Sequence, residues 1–141
     1  MFNRILVALD SSDQSDYVVD CVQQLKLVPD SLVVLSHAIA LSESNLEQPA
    51  DVPFVDPELG QFRHIEKELQ RYQAYFSCKT ELEIVMGDPA EEIIRLANIY
   101  RADLIVLGSR GLTGVSRILQ GSVSSQVVSD APCTVMVVKL A

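Results

Sequence analysis

Gly108, Gly111, Gly114 and Gly121 fall within fourteen residues, and Ser122, Ser124 and Ser125 follow at once. An apolar run, Asp103-Leu-Ile-Val-Leu107, comes directly before them, and a segment that can be helical comes after. Strand, glycine-rich loop and helix is the arrangement in which backbone N–H groups close on an anion. Glycine lets the main chain approach a ligand with no Cβ in the way. Serine hydroxyls at a helix start lie beside the positive end of its dipole. The chemistry this implies is phosphate binding. It is not a Walker A loop, because GxxxxGK[ST] is absent and no lysine lies between Gly108 and Ser125. The dinucleotide pattern GxGxxG is absent as well. Arg110 and Arg117 either add charge to the phosphates or point into solvent.

The elements around this loop are legible from periodicity. Arg4-Ile-Leu-Val-Ala-Leu-Asp10 is an apolar run ending in a carboxylate, as a strand buried on both faces requires. Ser11 and Gln14 have capping-box spacing, with Asp13 and Asp16 in the first turn. Val18, Cys21, Val22 and Leu25 then form a helical stripe, and Ser31–Ala38 is a second buried strand. From Ile39 to Val55 no period survives, and a loop of that length in a compact domain is usually functional or mobile. Asp56-Pro57 starts a second helix with an apolar face of Phe62, Ile65, Leu69, Tyr72 and Phe76. Glu81–Met86 suits an edge strand. Gly87-Asp88-Pro89 breaks it, and Asp88 caps a third helix whose buried face is Ile93, Ile94, Ala97 and Tyr100. The glycine loop, a helix over Ser122–Ser129 and a last strand, Cys133–Val138, complete the chain.

Strands alternating with helices predict an α/β fold over residues 1–141: one doubly wound, five-stranded parallel sheet with helices on both faces. Right-handed crossovers favour the strand order 3-2-1-4-5. Its switch point lies between strands one and four, and ligands bind beyond the carboxyl ends of the strands there. Asp10 and Gly108 therefore face one crevice. His37 sits packed at a strand end, and His64, beside Arg63, faces solvent.

Composition narrows the partners. The 141 residues carry a formal net charge of −8, which argues against nucleic acid and against an anionic membrane surface. No stretch approaches the ~20 apolar residues of a spanning helix. The N-terminus enters a strand pattern at once and lacks signal-peptide shape. Cys21, Cys78 and Cys133 form no CxxC and read as small buried hydrophobes, so a reducing cytoplasm is the expected compartment.

The residues also carry a resemblance. Gly108, Gly111, Gly121 and Ser122 meet the pattern G-x2-G-x9-G-[ST], with nine residues, Leu112–Gln120, between the second and third glycines. With the strand ending in Asp10, the strand ending in His37-Ala38, and Gly87-Asp88-Pro89-Ala90, the chain resembles the ATP-binding branch of the universal stress protein family over nearly its whole length. The resemblance implies that Asp10 lies against the nucleotide and that Ala38 lends its backbone to the adenine. It implies that Gly108 and Gly111 line the ribose and phosphate side, and that Gly121, Ser122 and Val123 close on the phosphates. Ser124, at the same helix start, joins the candidate set. Mg or Mn is expected on the nucleotide, held mostly by phosphate and water, with no protein cage.

Holding a nucleotide differs from hydrolysing it. Phosphoryl transfer needs charge at the γ-phosphate and a positioned nucleophile, and neither a loop lysine nor a water-positioning residue is evident. The leading reading is a small stress-response module whose shape or partners depend on bound ATP, with no catalytic residue assigned. A slow ATPase or self-phosphorylating protein, and a dimeric scaffold without ligand, are the alternatives. The last strand, Thr134–Val138, is apolar and lies at a sheet edge, which invites pairing into a homodimer.

Overall fold

The computed structural model describes residues 2–10, 14–40, 57–109 and 122–139. The expected cap at Ser11, Asp13, most of the Ile39–Val55 loop, Asp56, and the loop from Arg110 to Gly121 lie outside the described residues. Strands and helices alternate as β1 Arg4–Ala8, α1 Ser15–Gln23, β2 Leu32–Ile39, α2 Pro57–Gln73, β3 Lys79–Met86, α3 Pro89–Tyr100, β4 Leu104–Gly108, α4 Ser122–Asp130 and β5 Thr134–Val138. The five strands form one parallel sheet in the order β3-β2-β1-β4-β5.

The central strands are continuous apolar runs because both faces are covered. Ile5, Val7, Val33, Leu35, Leu104 and Val106 pack with Val18, Val19 and Val22 of α1 and Ile65, Leu69 and Tyr72 of α2. Leu6, Val34, Ile105 and Leu107 point the other way and pack with Ala90, Ile93, Leu96 and Ala97 of α3 and Val127 of α4. Alternation along each strand thus assigns α1 and α2 to one face, and α3 and α4 to the other.

Several local expectations are corrected. Helix α1 begins at Ser15, and Gln14 stands at its N-cap in helical geometry with no side-chain cap bond. The stripe on α2 is narrower than its sequence period, because the helix packs over β2 and the edge strand β3. Phe62 is 38% exposed, and Phe76 falls beyond the end of the helix at Gln73. On α3 the buried face turns toward Ala90 and Leu96, leaving Ile94 and Tyr100 half-buried. The Tyr100 hydroxyl donates to Glu83 Oε1 of β3, and burial, followed by that bond, pushes the phenol up to about 12.

Asp103 precedes β4 and acts as a clasp. Its carboxylate accepts the Asn3 N–H at 2.9 Å and the Arg4 N–H at 3.1 Å, tying the start of β1 to the start of β4. The capping reading at Asp88 agrees with the structure: Asp88 Oδ2 accepts the Glu91 N–H at 3.0 Å, with Pro89 in the first turn of α3. Cys21, Cys78 and Cys133 are free thiols, each partly buried against the core.

Candidate functional site

The carboxyl ends of the strands do not finish level. β1 stops at Ala8, whose partners are Ser36 on β2 and Leu107 on β4. β2 runs on through His37 and Ala38 to Ile39, and β4 runs on to Gly108. The edge of the sheet therefore has a notch over β1, at the switch point of the strand order.

Backbone hydrogen bonds fix what lines the notch. The Leu9 N–H donates to the Ser36 carbonyl at 2.8 Å, so Ser36 turns its polar groups toward β1. The Gly87 N–H donates to the Ile39 carbonyl at 3.0 Å, so Ile39 turns toward β3. Strand alternation then directs the N–H and C=O of Ala38 to the β1 side. On the other flank the Ser109 N–H donates to the Val138 carbonyl at 2.9 Å, which directs the polar groups of Gly108 toward β1 as well. Main chain from β2 and β4 thus converges above the end of β1, where Leu9 and Asp10 leave the sheet.

Asp10 is half-buried. Ser15, the first residue of α1 and only 1% exposed, donates its hydroxyl to Asp10 Oδ1 at 3.4 Å. Behind the notch, the buried Ser36 hydroxyl donates to the Val7 carbonyl at 2.9 Å. Sequence reading missed both serines as site supports. The signal was there, since each is a polar residue inside or beside an apolar run that ends at the crevice.

His37, near the end of β2, is buried. Burial pulls its pKa below the ordinary 6.5, outweighing the opposite pull of the Leu9 backbone, Asp10 and Glu68. The fold therefore favours the neutral imidazole. That contribution is present above pH 6.5 and is lost as pH falls through the lowered value. The melting temperature is expected to decline from pH 6.5 downward, and His37→Gln should flatten the first part of that decline. Calorimetry between pH 7 and 5 checks this. His64, on α2, is exposed as expected.

Of the expected site residues, the structure brings Asp10, Ala38 and Gly108 to one edge of the sheet. Ser122, Val123 and Ser124 form the first turn of α4. That helix returns from the carboxyl end of β4, so its amide-bearing N-terminus is at the notch end of the sheet. Val123 packs partly into the α3–α4 side of the core, leaving its backbone as the part able to meet a ligand. Gly111, Gly121, Arg110 and Arg117 lie outside the described residues. Among the described residues, no group of three His, Cys, Asp or Glu side chains could hold a metal ion.

An α/β sheet of this strand order, with helices on both faces, defines a domain of the doubly wound class. The family model described as Universal stress protein family matches residues 1–139, and the chain belongs to that family. Universal stress protein YxiE of Bacillus subtilis is 30% identical over 148 aligned positions, covering 99% of this chain and 100% of that one. Universal stress protein MJ0531 of Methanocaldococcus jannaschii is 42% identical over 73 residues, spanning 52% of this chain and 43% of its own length. Among solved structures, MJ0577 superposes with a TM-score of 0.85 at 26% identity, covering 100% of this chain and 98% of that one. A universal stress protein in complex with cAMP gives 0.69 at 22% identity, with 98% and 97% covered. An Arabidopsis thaliana family member with AMP bound gives 0.66 at 18%, with 99% and 92% covered. The last two share the fold.

Proposed function

We propose that residues 1–141 form one ATP-binding domain, a regulatory module whose shape or partners respond to the bound nucleotide. The observation that carries this reading is the notch at the switch point. Asp10 stands at its floor, Ala38 and Gly108 aim backbone toward it from either side, and the G-x2-G-x9-G-[ST] sequence starts there. The donor set suits an adenine nucleotide: main-chain groups on the β2 flank for a flat base, and helix amides with serines on the β4 flank for phosphates. That the fold can hold such a ligand is known from the cAMP and AMP complexes of its relatives. Mg or Mn would ride on the phosphates, with its ligands drawn from phosphate and water.

ATP at a hundred times its dissociation constant should add about 2.7 kcal/mol of stability. For a domain of this size that raises the melting temperature by roughly 5–10 °C. No shift, together with no small molecule released from the purified protein on denaturation, would leave the scaffold reading in its place. Phosphate release above ~1 per minute would favour the slow-ATPase reading instead.

The same reading includes a homodimer through β5. This strand is one edge of the sheet, and Val137 is 39% exposed along it. The opposite edge, β3, carries exposed Lys79 and Glu81, charges that discourage pairing. Light scattering should report about twice the 15.5 kDa chain mass, and a monomer at micromolar concentration would refute the pairing.

A further inference from the structure

Gly87-Asp88-Pro89 lies outside the glycine loop, yet its first residue is bonded to the tip of β2, the strand that flanks the notch. Beyond Ser36, where the β1 ladder gives out, the tip of β2 is carried by β3: Ala38 pairs with Val85 and Ile39 with Met86. The rung that closes this ladder is the bond from the Gly87 N–H to the Ile39 carbonyl, at 3.0 Å. It fixes the peptide that follows Ile39, one residue beyond Ala38.

Residue 87 makes that bond while its backbone is in an unusual state. Its φ is +146°, a region that side-chain-bearing residues rarely adopt. A Cβ there would meet Glu92 Oε1 at 2.9 Å and Glu92 Cγ at 3.2 Å. Glu92 is held in turn by Arg95, whose Nε donates to Glu92 Oε2 at 2.6 Å. One residue later Asp88 caps α3, so the turn cannot relax without disturbing that helix start.

We infer that Gly87 is a positioning residue for the base-binding half of the site: its backbone bond holds the tip of β2 so that the Ala38 main chain meets the ligand. The inference rests on the nucleotide reading above. Gly87 acts through β2, on the flank proposed for the base, so it sets affinity for the base and leaves the phosphate half alone.

The experiment compares ATP with inorganic tripolyphosphate, titrated calorimetrically into the wild-type chain and into Gly87→Ala. The variant should bind ATP at least about tenfold more weakly and tripolyphosphate as the wild type does. Parallel losses for both ligands would mean a general structural defect and would overturn the inference, as would unchanged ATP binding. A second measurement covers a variant that fails to fold. In the wild type, ATP should slow exchange of the Gly87 amide at least tenfold, while tripolyphosphate should not. Equal slowing by both ligands, or none, overturns the inference on that arm. A wild-type chain that binds tripolyphosphate but not ATP refutes the nucleotide reading itself, and the inference falls with it, distinguishably from the case in which only the variant behaves unexpectedly.

Discussion

Asp10→Ala is expected to weaken ATP binding by roughly ten- to a hundredfold, the range set by losing a hydrogen bond to a charged group. A carboxylate at the floor of the notch would repel a triphosphate, so its favourable partner is the neutral part of the nucleotide. Ribose hydroxyls are donors of the right kind, and Asp10 stands between the β2 flank, proposed for the base, and the β4 flank, proposed for the phosphates. Replacing ATP by its 2′,3′-dideoxy analogue should therefore cost the wild type about as much as Asp10→Ala does. The two losses should not add, because each removes the same contact. Ser15→Ala supplies the control. It deletes the 3.4 Å bond from the Ser15 hydroxyl to Asp10 and keeps the carboxylate. Affinity that survives Ser15→Ala and fails in Asp10→Ala assigns the role to the carboxylate. Full additivity with the dideoxy nucleotide would refute the ribose contact.

The strand order and the two-faced core were legible because the signals behind them are long and redundant. Ile5, Leu6 and Val7 are all buried, and a run with no polar gap leaves no face for solvent. With alternating helices, right-handed crossovers leave few sheets to choose from. The convergence of Asp10 and Gly108 followed from that order. Local signals were less secure. Ser11 and Gln14 have the spacing of a capping box, but spacing only permits a cap, and α1 starts at Ser15. Phe62 has the right helical period on α2 and still lies 38% exposed, because the sheet beneath α2 ends at β3. A one-dimensional pattern carries no information on where the supporting surface stops.

The site shows the same division. Residue type and spacing singled out Asp10, Ala38 and Gly108. The notch that joins them arises from unequal strand lengths, β1 ending at Ala8 while β2 continues to Ile39. Nothing in the sequence of β1 announces that it stops early, since Leu9 is as apolar as its neighbours and is itself buried. The role inferred for Gly87 was hidden for a related reason. A glycine before Asp-Pro reads as a strand breaker, and only the bond to Ile39 on the adjacent strand connects it with Ala38.

The largest effect on stability is expected from Tyr72→Ala. Helix α2 has 17 residues but docks through a short apolar series, Ile65, Leu69 and Tyr72, each 2% exposed. Tyr72 is the largest of the three and sits in the last turn. Its ring packs edge-on to Tyr75 at 6.1 Å between centroids, and the Arg71 guanidinium lies 4.7 Å from its centroid. Burial, and then a hydrogen bond to Asp16 of α1, hold its hydroxyl proton well above the ordinary tyrosine range. Removing a buried aromatic ring costs about 3–5 kcal/mol, a large share of the roughly 5–15 kcal/mol that stabilises a domain. The melting temperature should fall by roughly 10–15 °C. Tyr72→Phe keeps the ring and loses only the hydroxyl, so it should cost about 1 kcal/mol. The raised pKa fixes the sign at high pH. The neutral phenol stabilises the fold below the ordinary tyrosine value of 10.0, and that contribution is lost as pH rises through the raised value. Tyr72→Phe should therefore tolerate alkali above pH 10 better than the wild type, relative to its own stability at pH 7. Equal losses for the Ala and Phe variants in denaturant melts would mean that the hydroxyl, rather than the ring, secures α2 to the sheet.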